Sequence, residues 1–249
     1  MIELKIHHSI LPPQYPSDRM HPTTLKNIKK WDVMNPDIKF DRQIWTDAEC
    51  KTFLGDNFGS DVLKFYVAQP DGRFKSDLWR LCVLYVHGGI YADIDIEPLK
   101  DITDYVDFEN IDFCGCTNME RFNVTNCFIY AKKNSQIIKQ NIDETVKRYR
   151  NTPQSNYRNI NIIGGCFIMG SVIEQNQKNA LMPLGEITIG DEKCLFLHER
   201  GDKELEKISK QTFWNSFGVY FGDVRIMNSR YETYHIDRNK RNEFVSRDD

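Results

Sequence analysis

The sequence has no long hydrophobic run. Its longest clean apolar stretch, Leu81 to Val86, falls far short of the roughly 20 residues a spanning helix needs. Met1-Ile2-Glu3-Leu4-Lys5-Ile6-His7-His8 has neither the basic start nor the apolar segment of a signal peptide. A cytoplasmic chain, bacterial or in the host cell of a virus, is the expectation. There is no excess of charge either. Lys+Arg total 33 against Asp+Glu 36, a formal net charge of −3, which removes the basic surplus by which nucleic-acid proteins neutralise phosphates. Internal repeats, low-complexity blocks and Pro/Gly/Ser linkers are missing, so no domain boundary announces itself. The cysteines form no framework: there are 7, an odd number, and Cys114-Gly115-Cys116 lacks the Cys-x-x-Cys spacing of zinc ribbons and thioredoxin-like sites. Buried free thiols are expected. The Asn-x-Thr sequon at Asn123 would matter only in a secreted protein.

What is present is a chain able to build a core. At 249 residues and 40% apolar composition it holds one large domain or two small ones, and too much hydrophobe for a disordered tail. Strand and helix signals alternate. Leu4 to Leu11 reads as a strand ended by Pro12-Pro13. Pro22 to Met34 reads as a helix with proline in its first turn. Ile38 to Trp45 is a strand, Thr46 and Asp47 offer caps for a short helix, and Asp61 to Gln69 suggests another. From Phe74 the positions Phe74, Leu78, Leu81, Leu84 and Tyr85 make one helical face, stopped by Gly88-Gly89. Ile90 to Ile96 follows as a short β-rich run closed by Pro98. Ile111 to Cys116 and Asn126 to Tyr130 are further strands, and Ser135 to Tyr149 is an amphipathic helix. Ile160 to Ile173 is apolar and broken by Gly164-Gly165. Strands near Ile187 and at Leu195–His198, a polar helix around Lys203–Lys210 and an aromatic stretch from Phe213 to Phe221 complete the chain. Such alternation predicts an α/β domain with a mainly parallel sheet, whose ligands bind beyond the carboxyl ends of strands.

The chemistry concentrates in residues 75–97. Asp93-Ile94-Asp95 alone means little, because with 22 aspartates chance supplies about two such triplets. A solvated acidic turn is the plain alternative. Here, though, the acids follow an apolar run and a double-glycine turn, where a sheet end would present them. On a continuing strand both would share one face. Two such carboxylates repel unless a cation sits near, and Mg²⁺ or Mn²⁺ commonly takes one or two carboxylates plus substrate phosphates. Asp77 and Arg80 stand one helical turn apart. They make either an intrahelical ion pair or a ligand pair in which Asp77 accepts from a hydroxyl and Arg80 contacts a phosphate or sugar.

Ser76, Asp77 and Arg80, then Leu84, Tyr85, Gly88, Gly89, Ile90, Tyr91, Asp93 and Asp95, resemble in register the sugar-nucleotide site of glycosyltransferases with a DXD sugar-binding region. These are the family 32 enzymes, similar in this block to yeast-type α-mannosyltransferases and to the glucosylating domains of clostridial toxins. The likeness continues more weakly. Lys5-Ile6-His7-His8 resembles the family's opening strand, with His8 in its histidine place. Trp31, Asn35-Pro36 and Trp45-Thr46-Asp47 are similar to the next turn-strand unit, and Asn126 to Ala131 to the strand after the acidic motif. Gly164-Gly165 stands where the family often has Thr-Gly-Pro.

The resemblance implies a GT-A fold: a single Rossmann-like nucleotide-binding domain, α/β, with a mainly parallel mixed sheet. Residues 1–180 would form the nucleotide-sugar core and residues 181–249 the acceptor side. It implies a retaining transfer from a nucleotide sugar, assisted by Mn²⁺ or Mg²⁺, to a glycan or other hydroxyl acceptor. Catalytic residues would be Asp77, Arg80, Asp93 and Asp95. Donor contacts would come from His8, Ser76, Asp77, Arg80, Tyr91, Ala92, Asp93, Asn126, Gly164 and Gly165. Asp95 would bind the metal, and Asp93 the ribose or the metal through water. A further metal ligand is sought in the C-terminal part, His235 first and His198 second. Glu97 is either a supporting acid or a simple strand-end residue, and Trp214, Tyr220, Tyr231 and Tyr234 either stack on a sugar or base or serve the core. No side chain stands out as a nucleophile, which favours attack by the acceptor on the leaving-group side. UDP-sugars are the expected donors, GDP-mannose second. The rivals are an inactive relative that binds a sugar nucleotide or glycan, and a metal-dependent phosphatase or nucleotidyltransferase. The latter needs more converging carboxylates than this segment holds.

Overall fold

The computed structural model describes residues 1–11, 19–69, 71–118, 123–153, 166–175, 181–201, 217–229 and 245–246. Strand β1 (Ile2–Ile10) is followed by the short β2 (Arg19–Met20) and helix α1 (Pro22–Met34). His21 caps α1, its ring accepting from the Thr23 amide. Strand β3 (Ile38–Thr46) leads into α2 (Asp47–Asn57) through a capping box in which Thr46 and Glu49 satisfy each other's amides. Helices α3 (Ser60–Ala68) and α4 (Gly72–His87) follow, then β4 (Gly89–Ala92), β5 (Ile96–Pro98), β6 (Phe113–Thr117) and β7 (Val124–Ala131). Helix α5 (Gln136–Asn151), α6 (Cys166–Gln175) and strands β8 (Gly185–Ile189), β9 (Glu192–Gly201), β10 (Phe217–Phe221), β11 (Val224–Ser229) and β12 (Val245–Ser246) complete the described elements. The expected polar helix at Lys203–Lys210 lies outside the described residues. No described helix is long and apolar enough to cross a membrane.

One sheet in the order β3-β1-β4-β7-β6-β9-β10-β11-β5 organises the chain, with β8 paired to the first half of β9. It is mixed. The pairs β1–β3, β1–β4 and β6–β9 are parallel, and the other described pairings are antiparallel. Two successive antiparallel pairings, β4–β7 and β7–β6, return β6 to the direction of β4. The carboxyl ends of β1, β3, β4, β6 and β9 therefore open on one edge.

Alternation along β1 divides its side chains between the two faces of the sheet. Ile6 packs with Trp31 of α1 and the inner residues of β4, while Ile10 joins Met20, Leu25 and Ile28. The opposite face carries the α4 core, where Leu78, Trp79, Cys82 and Leu84 lie against Tyr91, Ile129 and the α5 residues Ile137, Ile138 and Ile142. The described cysteines apart from Cys166 are buried free thiols, as the sequence suggested.

The reversal from α4 into β4 depends on two glycines. Gly88 has φ 67° and Gly89 φ 97°, the left-handed region that side chains resist. A Cβ on Gly89 would sit 2.5 Å from the Lys5 carbonyl oxygen, and one on Gly88 2.7 Å from the Lys133 amide nitrogen. This tight return lays α4 antiparallel to β4. Its Ser76, Asp77 and Arg80 therefore come beside the strand end that leads into Asp93.

Candidate active site

Arg80 is the centre of the site. It is 4% exposed, and its guanidinium is surrounded by acceptors. Nε donates to the Ser76 carbonyl at 3.1 Å and one terminal nitrogen to Ser76 Oγ at 2.9 Å, while the other donates to the Asn126 carbonyl. The same two nitrogens lie 3.4 Å from Asp77 Oδ1 and 3.4 Å from Asp93 Oδ1. The Arg80 plane also stands 4.4 Å from the centre of the Tyr91 ring, a cation–π contact. The sequence left open whether Asp77 and Arg80 pair with each other or with a ligand. In the structure they pair with each other, and Arg80 holds Asp93 as well.

Around this cation the remaining groups are oriented. Asn126 Nδ2 donates to Asp77 Oδ1 at 2.8 Å. The Tyr91 hydroxyl donates to Asp93 Oδ1 at 2.6 Å and lies 2.8 Å from Ser76 Oγ, which is 3.3 Å from Ser9 Oγ at the end of β1. Tyr91, expected to line the nucleotide pocket, is only 1% exposed. His8 is buried, with Nδ1 2.8 Å from the Ala92 carbonyl. A carbonyl only accepts, so Nδ1 carries the proton, and burial holds the ring down to about 3, neutral at ordinary pH. His8, Ser76, Asp77, Arg80, Tyr91, Ala92, Asp93 and Asn126 are thus brought together. Gly164, Gly165 and His235, with Trp214, Tyr231 and Tyr234, lie outside the described residues.

The acidic motif is not a continuing strand. Ile90 to Ile96 was expected as one β-rich run; instead β4 ends at Ala92 and β5 starts at Ile96. Between them a turn is closed by the Ile96 amide on the Asp93 carbonyl at 3.0 Å, and the Asp93 amide bonds the Cys127 carbonyl at 2.8 Å. The two carboxylates therefore sit at the mouth of a turn rather than at alternate positions of a ladder. The Asp93 amide still bonds β7, but the Asp93 carbonyl accepts from the Ile96 amide three residues on, so the chain turns out of the sheet there.

Burial pushes Asp77 up to about 6, against the pull of Arg80 and Asn126. Burial also raises Asp95 to about 7, with Asp93 and Glu199 adding to the effect. Glu199 on β9 rises to about 7 for the same first reason, with Asp93 contributing. Glu199 was not among the expected site residues. Its Oε1 accepts from Cys127 Sγ at 3.8 Å, which places it beneath the Asp93 turn. A signal existed: Leu195, Leu197 and Glu199 share one face of a strand, so the acid falls on a face that otherwise builds core.

The same alternation places the second metal candidate. His198 lies on the strand face opposite Glu199, the face that Cys194 and Phe196 share with the α4 core. Glu97 is tied elsewhere, to Lys30 at 2.8 Å and Asn228 at 3.1 Å, and serves to join α1 to β11. Tyr220 is a buried core-edge ring with Arg200 4.2 Å from its centre.

Asp93 and Asp95 supply hard oxygen donors of the kind Mg²⁺ and Mn²⁺ prefer. Among the described residues no group of at least 3 His, Cys, Asp or Glu side chains could enclose an ion. That donor set fits a cation completed by a ligand's phosphates rather than one caged by protein.

Residues 22–112 match the family model described as a glycosyltransferase sugar-binding region containing a DXD motif. This stretch is similar to a glycosyltransferase sugar-binding region. It contains Ser76, Asp77, Arg80, Tyr91, Asp93 and Asp95, whereas His8, Asn126 and Glu199 join it from outside. Two curated relatives are initiation-specific α-1,6-mannosyltransferases. The Candida albicans protein is 31% identical over 84 residues, 33% of this chain and 21% of that one. The Schizosaccharomyces pombe protein is 30% identical over 86 residues, again 33% and 21%. The chain thus spans about a fifth of the length of these relatives. Among solved structures, the PaToxG glycosyltransferase is similar with a TM-score of 0.54 and 20% identity, covering 70% of this chain and 69% of that one. The fold around the sugar-binding region is that of the GT-A glycosyltransferases.

Proposed function

We propose that the protein is a divalent-cation-dependent, retaining glycosyltransferase. It moves a sugar from a nucleotide sugar, a UDP-sugar first and GDP-mannose second, to a hydroxyl of a glycan or other acceptor. The observation that carries this reading is the Arg80 clamp. One buried cation orients Asp77 and Asp93 beside Asp95, on the edge where parallel strands of an α/β sheet bind ligands. Inside a sugar-binding region, that pairing suits a ligand with both a sugar hydroxyl and a diphosphate.

Each group then has a role. Asp77 keeps Oδ2 for a donor sugar hydroxyl while Asn126 and Arg80 occupy Oδ1. Asp93 and Asp95 would hold Mn²⁺ or Mg²⁺, with His235 our candidate for a further ligand. When bound, such an ion stabilises the negative charge of the departing diphosphate as a Lewis acid. Ionised Asp77 and Asp93 favour the positive charge that develops on the sugar ring. Retention follows if the acceptor hydroxyl approaches on the leaving-group side and the departing phosphate takes its proton. We place the nucleotide-sugar core in residues 1–180, with Gly164 and Gly165 at its rim, and acceptor recognition in residues 181–249.

The test is a panel of UDP-, GDP-, CDP- and ADP-sugars with and without Mn²⁺, products read by mass spectrometry. Transfer or hydrolysis of one donor, dependent on Mn²⁺ and lost at least 100-fold in Asp95→Asn, is expected. Donor binding without turnover under every condition would favour an inactive binding relative. Phosphate release without a freed or transferred sugar would overturn both.

A further inference from the structure

The hydroxyls beside Asp93 form a chain whose direction can be deduced. Tyr91 has one proton, and at 2.6 Å from a carboxylate it donates that proton to Asp93 Oδ1. The Tyr91 oxygen must therefore accept from Ser76 Oγ at 2.8 Å, which commits the Ser76 proton. Ser76 Oγ in turn accepts from Arg80 at 2.9 Å and from Ser9 at 3.3 Å. Ser9 to Ser76 to Tyr91 to Asp93 is thus a one-way series of donors from the end of β1, across α4, to the end of β4. Tyr91 is 1% exposed, Ser76 6% and Arg80 4%, so water has little access to replace any link.

The consequence concerns how Asp93 meets its ligand. Its Oδ1 takes both the Tyr91 hydroxyl and the Arg80 guanidinium at 3.4 Å, which among the described residues leaves Oδ2 as the free oxygen. The geometry points to Tyr91 as a positioning residue that fixes Asp93 as a one-oxygen ligand, with Ser76 and Ser9 locking the tyrosine. This rests on the reading of Asp93 as a cation ligand. It departs from a role for Tyr91 in contacting the donor itself: the tyrosine acts through Asp93. Partners that orient a metal-ligating side chain typically contribute 10–100-fold to affinity, so deleting one hydroxyl is expected to weaken the ion by about tenfold.

The probe is Mn²⁺ itself, with and without UDP, titrated against the whole protein and followed by the electron paramagnetic resonance of free Mn²⁺. Tyr91→Phe, assayed well below its own melting temperature, should bind Mn²⁺ about tenfold more weakly, which a purely structural tyrosine would not do. Equal or tighter binding by Tyr91→Phe overturns the inference and leaves the cation reading intact. Absence of Mn²⁺ binding by the unaltered protein, with or without UDP, overturns both. A second measurement does not need the variant to fold well: the infrared difference spectrum of the unaltered protein on adding Mn²⁺, with the Asp93 bands assigned by their loss in Asp93→Asn. A wide splitting of the carboxylate stretches, the one-oxygen pattern, is expected, and a narrow two-oxygen splitting refutes it.

Discussion

Replacing Arg80 by methionine keeps its length but removes a buried charge from between two acids. The guanidinium is 4% exposed, the Asp77 side chain 11% and the Asp93 side chain 31%, each acid at 3.4 Å. At an effective dielectric of about 20, a contact at that distance carries up to about 5 kcal/mol of Coulomb attraction. Solvent discounts the Asp93 contact, and the desolvation of all three groups offsets much of the rest. The decisive quantity is the cost of leaving Asp77 buried without its cation, about 3–5 kcal/mol for one partner of a buried pair. Against a usual stability of about 5–15 kcal/mol, the variant should fold but with a much lower urea midpoint at unchanged slope. Adding Asp77→Asn to Arg80→Met should return about 1–2 kcal/mol, because the stranded charge is gone. Unfolding of the ligand-free protein measures this without reference to activity. A loss below about 1 kcal/mol, or a double variant no more stable than Arg80→Met, would refute the clamp.

Two further outcomes follow from the same geometry. Gly88→Ala and Gly89→Ala force a side chain into the left-handed region and against backbone atoms 2.7 Å and 2.5 Å away. Each should cost about 1–3 kcal/mol or more, and thermal melts within a degree of the parent would contradict the tight α4–β4 return. For pH, Asp77 at about 6 and Asp95 and Glu199 at about 7 keep protons that the unfolded chain has already lost. The folded state therefore binds more protons between about pH 4 and 7, and stability falls as pH rises through that window. His7 and His8, which burial lowers to about 4 and about 3, act oppositely below about pH 6.5, since there the unfolded chain takes up the extra protons. Above about pH 6.5 only the acids remain. The ligand-free melting temperature should drop from about pH 6.5 to 8, and a flat or rising profile would remove the buried-acid account.

Much of this was legible in the sequence because it is local. Pro22 to Met34 is helical with both boundaries as expected, since proline at the start and the apolar spacing act within one element. The face built from Leu78, Leu81 and Leu84, stopped by Gly88-Gly89, gave α4 and its return for the same reason. Ser76, Asp77, Arg80, Asp93 and Asp95 were identifiable as a set because their spacing matches a sugar-binding region. The break of the strand at Ala92 was not legible: Ile94 and Ile96 continue an apolar alternation, and the turn closed by the Ile96 amide on the Asp93 carbonyl leaves no mark on that pattern. Glu199 was missed because its neighbourhood exists only once β9 lies beside β6 and the β7 residue Cys127 reaches it. The sequence by itself determined which residues carry charge and which elements carry those residues. Whether Arg80 faces a ligand or locks its neighbours was decided by tertiary structure alone, since that depends on how many acceptors are brought within 3.4 Å of one buried guanidinium, and those acceptors come from three separate elements.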